Sequence, residues 1–175
     1  MDQNPELTIR RANPEDAGLL AELGARTFSE TFAADNSPED LAAYVAASFN
    51  PARQTAELND PAITFFVAEV GGLAAGYAQL HAGEPAEGVE GPKPVELVRL
   101  YVSGGWLGRG VGEALMRACV DGACQAGHET IWLGVWERNG RAQAFYRKRD
   151  FRAVGEHVFQ LGSDPQRDIL MERAL

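Results

Sequence analysis

Sulfur and imidazole are scarce in this chain. Its 175 residues include two cysteines, Cys119 and Cys124, and three histidines, His81, His128 and His157. The cysteines lie five apart in what reads as one helix, a spacing that suits neither a disulfide framework nor a zinc site, so both read as reduced thiols. The histidines are isolated in sequence and show no metal-ligand spacing, so surface or structural roles are expected and no metal is. Long apolar runs are missing too: none approaches the ~20 residues of a membrane span. Met1 to Arg10 carries no basic segment followed by an apolar stretch, which leaves the cytoplasm as the expected compartment and no membrane as a partner. Positive charge is in deficit, with 16 Lys and Arg against 25 Asp and Glu, a formal net charge of -9. That balance opposes contact with nucleic-acid phosphates and favours a cationic partner.

What is present is an ordinary globular composition, 45% hydrophobic and 23% charged, with no internal repeat. The length supports one substantial core and not two, so residues 1–175 are expected to form a single domain. Leu7 to Arg11 reads as a first strand. Pro14 opens a helix that carries Leu19, Leu20, Leu23 and Phe28 on one side. Ser37 and Pro38 start a second helix to about Phe49, and a short third one runs from Ala52 to Leu58. Ile63 to Val70 and Leu73 to Leu80 are β-rich and meet at Gly71-Gly72, which accepts the positive φ of a tight hairpin. After a Pro/Gly/Glu-rich loop from Gly83 to Pro94 come a strand over Val95 to Val102 and a helix from about Gly110 to Ala126. Thr130 to Trp136, a helix over Gly140 to Arg149, Phe151 to Leu161 and Ile169 to Glu172 complete a mixed α/β order.

Five glycines, Gly104, Gly105, Gly108, Gly110 and Gly112, crowd the strand-to-helix junction in SGGWLGRGVGEALM. Glycine lets a backbone approach a bulky ligand, and the free N–H groups of a first helical turn point at whatever sits there. A phosphate or pyrophosphate fits that description, with Arg109 as a further donor; a tight turn and nothing more fits the glycines equally well. No Lys-Ser/Thr follows them as in a P-loop, and Gly108-Arg109-Gly110-Val111-Gly112 lacks the dinucleotide-fingerprint spacing.

The run from Glu96 to Gly112 resembles motif A of the GCN5-related N-acetyltransferases, in which a strand feeds a Gln/Arg-x-x-Gly-x-Gly/Ala turn. Leu107-Gly108-Arg109-Gly110-Val111-Gly112 is the matching stretch, and Leu107 departs from the usual Gln or Arg. A second block, Asn139, Ala142, Phe145 and Tyr146 in NGRAQAFYRKRDFRAVG, resembles the family's N-x-x-A-x-x-F-Y helix. The resemblance covers about Leu7 to Met171. It implies an α/β acyltransferase fold with a bent, mostly antiparallel sheet flanked by helices, and acetyl-CoA held in a splay between two central strands. On this basis Leu100, Tyr101 and Val102 would pair with the pantetheine arm. Leu107, Gly108, Arg109, Gly110, Val111, Gly112 and Glu113 would surround the pyrophosphate, with Asn139 and Tyr146 nearby. The run TFSETFAADNSPEDLAAYVAASF is similar to bacterial relatives that include spermidine/spermine acetyltransferases, which points to a small amine or polyamine acceptor. Many relatives form dimers, so a homodimer is among the states the resemblance implies.

An alkyl ammonium with a pKa near ~10.4 is almost wholly charged at neutral pH, so transfer benefits from a base. By resemblance Glu96 supplies it; as a bare residue it reads equally as a solvated strand-end carboxylate. By resemblance Tyr146 is the acid that protonates the departing thiolate; without the motif it is a packed aromatic beside Phe145. Asn139 also reads as a helix cap. Cys119 shares a helical stripe with Val111, Leu115 and Gly122, so a core residue is expected rather than an acetyl carrier, and direct transfer in a ternary complex is the expected course. Trp106, Trp132 and Trp136 fit either the cofactor cleft or packing, and Glu84, Glu87 and Glu90 fit either the rim of a cationic acceptor's pocket or a solvated loop. A protein or peptide amino-terminal acetyltransferase, or an acyl-CoA sensor without turnover, are the alternative readings.

Overall fold

Polar caps set the helix starts in the computed structural model, which describes residues 6–175; residues 1–5, within the segment read for a leader and the expected 1–175 domain, lie outside the described residues. Strand β1 (Leu7–Arg11) leads through a turn, where Asn13 Oδ1 accepts from the Glu15 amide at 2.9 Å, into helix α1 (Ala17–Phe32). Ser37 Oγ accepts from the Asp40 amide at 3.1 Å ahead of α2 (Pro38–Ser48). Asn50 Oδ1 does the same for the Arg53 amide at 2.9 Å ahead of α3 (Pro51–Asn59), and both helices place proline in the first turn. Strands β2 (Ile63–Val70) and β3 (Leu73–His81) turn at Gly71 and Gly72, whose φ values of 59° and 80° are those a two-residue primed turn requires. There follow β4 (Pro94–Val102), α4 (Val111–Gln125), β5 (Thr130–Trp136), α5 (Gly140–Arg147), β6 (Arg152–Leu161) and β7 (Asp164–Ala174).

Among the described residues seven strands form one sheet in the order β1-β2-β3-β4-β5-β7-β6. Every neighbouring pair is antiparallel except β4–β5, so the mostly antiparallel mixed sheet expected from the sequence is present. One face packs on α4, where Val111, Leu115, Met116 and Cys119 meet Val95, Leu97, Ile131 and Leu133. The opposite face receives Leu20 and Leu23 of α1 against Phe65, Val67 and Tyr77. Strand β7 is far longer than the expected Ile169 to Glu172, because pairing to β6 from Asp164 onward holds its polar first half extended before β5 joins at Asp168. Among the described residues no helix is long and apolar enough to cross a membrane.

Two features of β4 position the site. Its parallel ladder with β5 covers only Pro94 to Glu96 against Thr130 to Trp132, and the strands part beyond that point. Opposite β3, the partners step from Leu97 to Arg99 and pass over Val98, a bulge that inverts the side-chain alternation. Val95 and Leu97 join the α4 side before it, Leu100 and Val102 after it. Arg99 and Tyr101 are thereby sent to the other face, where Tyr101 packs against the α1 side.

Arg99 meets Glu57 of α3 there at 2.9 Å, with side chains 7% and 9% exposed, and its guanidinium lies 5.0 Å from the centre of the Phe49 ring. Breaking a buried pair from one side strands the other charge, so Glu57→Ala should cost about 3–5 kcal/mol. Urea unfolding should show it as a lower midpoint with an unchanged slope; a loss below about 1 kcal/mol would show that water reaches Arg99.

Candidate active site

Where β4 and β5 diverge they leave a continuous cavity of about 830 Å³, which runs from the amino end of α4, through the gap between the strands, to a chamber beneath α1 and α2. Leu100, Tyr101 and Val102 line it from one strand and Gly134, Val135 and Trp136 from the other.

The glycine turn forms one lip. Gly108 and Gly110 have φ values of 74° and 85°, and Gly110 is the residue before the first turn of α4. The Ala114 amide donates to the Gly110 carbonyl at 3.0 Å, while the amides of Val111, Gly112 and Glu113 precede any carbonyl the helix can offer them. Leu107, Gly108, Gly110, Gly112 and Glu113 all line the cavity. Val111 does not: its side chain is core, and only its amide belongs to the turn. The Arg109 guanidinium lies 5.4 Å from the centre of the Trp106 ring, and Leu107 is 43% exposed. Sequence reasoning missed Arg141 and Arg149, which line the facing wall. Arg149 is fixed by a 2.7 Å bond to the Phe145 carbonyl, by stacking on the Phe145 ring and by pairing with Glu113. Unpaired amides facing two guanidinium groups suit an elongated anion such as a pyrophosphate.

Asn139 Oδ1 caps α5 by accepting from the Ala142 amide at 3.1 Å, and the same residue lines the cavity. Gln143 ties that helix to the end of β5 through bonds to the carbonyls of Trp136 at 3.2 Å and Glu137 at 2.8 Å. Tyr146 is thereby set in the cavity wall, 9% exposed, edge-on to Phe145 and Phe151. Burial raises its phenol well above the ordinary value, so the group stays protonated through neutral pH and keeps a proton to give.

Glu96 stands at the last rung before the strands part and lines both this cavity and a smaller hollow bordered by His81 and Arg99. Burial raises its carboxyl, while His81 and His157 pull it back. His157 itself is not isolated. Its Nε2 lies 3.5 Å from Asp168 Oδ2, and both residues line the cavity. Neither stood out in sequence, since only the pairing of β6 with β7 places them side by side.

The tryptophans divide between cleft and packing, and one reading of the acidic loop needs correction. Trp106 and Trp136 line the cavity, but Trp132 is buried away from it. Glu84, Glu87 and Glu90 line no part of it: their loop is drawn along the far end of the sheet, where the Glu90 and Gly91 amides donate to Glu172 Oε2 at 3.3 and 3.4 Å. Cys119 is buried in the α4 core with its thiol pushed up to about 12, which removes it as a nucleophile, and Cys124 is also a free thiol. Among the described residues no group of His, Cys, Asp and Glu comes together that could hold a metal.

Comparison with known proteins agrees with this geometry. Residues 20–151 match the model of the acetyltransferase (GNAT) family. An uncharacterized N-acetyltransferase of Lactobacillus delbrueckii subsp. lactis is 32% identical over 167 residues, 95% of this chain and 96% of the relative. Another from Mycobacterium bovis is 36% identical over 160 residues, 91% of this chain and 98% of the relative. The crystal structure of a PaiA N-acetyltransferase from Thermoplasma acidophilum in complex with coenzyme A superposes with a TM-score of 0.78 at 20% identity, over 97% of this chain and 99% of that one. The chain belongs to the GNAT acetyltransferase family.

The buried carboxyl gives a pH signature. Because Glu96 has a folded-state value above its unfolded one, its ionisation works against folding: relative stability is fullest below the unfolded value and is lost as pH rises through the folded one. Glu96→Gln should therefore melt with the parent near ~pH 4 and progressively above it toward ~pH 7. A melting difference that does not vary with pH would show the carboxyl to be solvated.

Proposed function

We propose that this chain acetylates a small amine, in the cytoplasm and within one domain, by direct transfer from acetyl-CoA in a ternary complex. The observation that carries this is the continuity of one cavity from the glycine turn to Tyr146 and Glu96. Family membership supports it, as does the coenzyme A bound in the Thermoplasma relative. The amides of Gly108 and of Val111 to Glu113, with the side chains of Arg109, Arg141 and Arg149, hold the pyrophosphate; Leu107 adds only apolar contact there. The free edge of β4 at Leu100, Tyr101 and Val102 pairs with the pantetheine arm, and Asn139 orients it near Tyr146. Acetyl-CoA brings an already activated thioester.

The protein's share is then to place the amine and move two protons. Glu96 removes the proton that keeps the acceptor charged. The amine lone pair forms the new C–N bond as the C–S bond breaks, and Tyr146 Oη gives its proton to the departing sulfur. The products are the N-acetylated amine and free coenzyme A.

A small molecule is favoured over a protein substrate because the chamber is roofed. Asp40 of α2 receives the amide and the hydroxyl of Ser163 at 2.9 and 3.0 Å, which latches the helix to the β6–β7 turn. Tyr146→Phe removes the acid and little else. It should lower turnover about 10²-fold or more in acetyl-CoA-dependent thiol release over a panel of amines and peptides, with acetyl-CoA affinity by calorimetry within about twofold of the parent. An unchanged rate would exclude Tyr146 as the acid, and acetyl-CoA binding without turnover in the parent would favour a sensor.

A further inference from the structure

The acceptor end of the cavity carries more information than the presence of a base. Directly paired residues in neighbouring strands present side chains to the same face of a sheet. Glu96 pairs with Trp132, Trp136 with Asp168, and Asp168 with His157. These residues therefore share one face, together with Gly134, which alternates with Trp132 and Trp136 on β5. Gly134 leaves the space that Asp168 and His157 occupy: a Cβ built on it would lie 3.2 Å from both Asp168 Oδ2 and His157 Nε2. Glu96 and Asp168 thus stand on either side of the opening, on β4 and β7.

Aromatic rings form an arc that starts beside Asp168 and ends beside His157. Trp136, cross-strand from Asp168, lies 5.8 Å from Phe32; Phe32 lies 4.5 Å from Phe28; Phe28 stacks on Tyr44 at 4.7 Å; and Tyr44 meets Phe159 edge-on at 5.4 Å. Phe159 is two residues along β6 from His157 and so shares its face. All of these rings line the cavity.

Carboxylates are few in the lining, which also holds four arginines. Its carboxylates are Glu96, Asp168 and Glu113, and Glu113 is paired with Arg149 at the opposite, cradle end. Two arginines of the lining, Arg53 and Arg99, both pair with Glu57, and the basic groups that act on Glu96 are the imidazoles of His81 and His157. The chamber therefore offers an incoming ammonium the carboxylates of Glu96 and Asp168, and flat apolar walls for the rest of the molecule. A polyamine carries further ammonium groups along its length, and this lining gives them no carboxylate.

We propose that the acceptor is a primary amine on an aromatic or other flat apolar body, its ammonium received between Glu96 and Asp168 and its body stacked within the arc of Phe28, Phe32, Tyr44, Trp136 and Phe159. This rests on the acetyl-transfer reading above and narrows its substrate. Asp168 binds the acceptor, His157 holds that carboxylate at the opening, and the aromatic faces add attraction for the ammonium as it enters. The transfer keeps the balance already given: the amine proton leaves to Glu96, the C–N bond forms, the C–S bond breaks, and Tyr146 protonates the sulfur.

The test uses the whole chain with phenethylamine, spermidine and an alanine-initiated peptide as probes, by thiol release and by calorimetry of each probe on the coenzyme A complex. Phenethylamine should have a kcat/KM at least about tenfold above either competitor, and Asp168→Asn should raise its KM by about tenfold or more without changing acetyl-CoA affinity. Phe32→Leu, at a half-buried ring, keeps the fold and should narrow the preference for phenethylamine. Preference for spermidine or the peptide, or an Asp168→Asn variant with unchanged KM, overturns the assignment and leaves acetyl transfer standing. Binding of phenethylamine without turnover supports the chamber assignment while the transfer reading fails; no binding of it to the coenzyme A complex overturns the assignment whatever the turnover.

Discussion

Strands β4 and β5 share three register pairs, Pro94 to Glu96 with Thr130 to Trp132, and then separate. A central pair of parallel strands that stops pairing leaves two rows of backbone donors and acceptors facing a gap, and such groups need partners. Water or a chain-like ligand with its own amides can meet that need; side-chain packing cannot. The rest of the molecule holds the gap open. Above it α1 and α2 bring aromatic side chains that fill the chamber's walls and not the space between the strands, and β7 pairs with the outer edge of β5 along Thr130 to Trp136, which keeps that strand straight after β4 has left it.

The cavity is polar in opposite senses at its two ends although the chain as a whole is acidic. The first-turn amides of α4, with Arg141 and Arg149 opposite, make the cradle end attractive to anions. Glu96 and Asp168 make the chamber attractive to a cation. On the proposed reading two reactants of opposite charge are sorted to opposite ends of one opening, and Tyr146, neutral because it is buried, stands in the wall between them. This division explains how a protein with net charge -9 can still present a site for a phosphorylated ligand: local placement of arginines and helix amides outweighs the mean field at contact distance.

Much of this was legible in the sequence. The strand and helix order, the Gly71-Gly72 hairpin and the Ser37 cap rest on local signals of period, proline position and turn chemistry, and local signals survive folding. The glycine turn and the Asn139 helix were found from contiguous motifs. Three features were not legible, each for a non-local reason. Val98 is an ordinary strand residue, and its bulge exists only relative to β3. Asp164 to Asp168 is a polar run with a proline and reads as loop; its pairing with β6 makes it a strand. His157 and Asp168 carry no motif, and their meeting follows from the β6–β7 register. Conversely, Glu84, Glu87 and Glu90 were assigned to a pocket on charge alone, and charge says nothing of which end of a sheet a loop follows.

The buried Glu57–Arg99 pair belongs to the same design problem. A β4 strand that has lost its ladder on one side and carries a bulge on the other is weakly held at the residues that border Glu96. The bulge turns Arg99 to the face where α3 lies, and Glu57 meets it with a bond of 2.9 Å, while Arg53 of the same helix donates to the same carboxylate at 2.9 Å. A replacement of Glu57 and Arg99 by apolar side chains could match the pair for stability, since desolvation offsets much of the attraction between buried charges. Apolar packing is non-directional, however, and would leave the strand free to slide toward β5. The ion pair fixes Arg99 at one position relative to α3, and so fixes Glu96, three residues earlier, at the mouth of the gap.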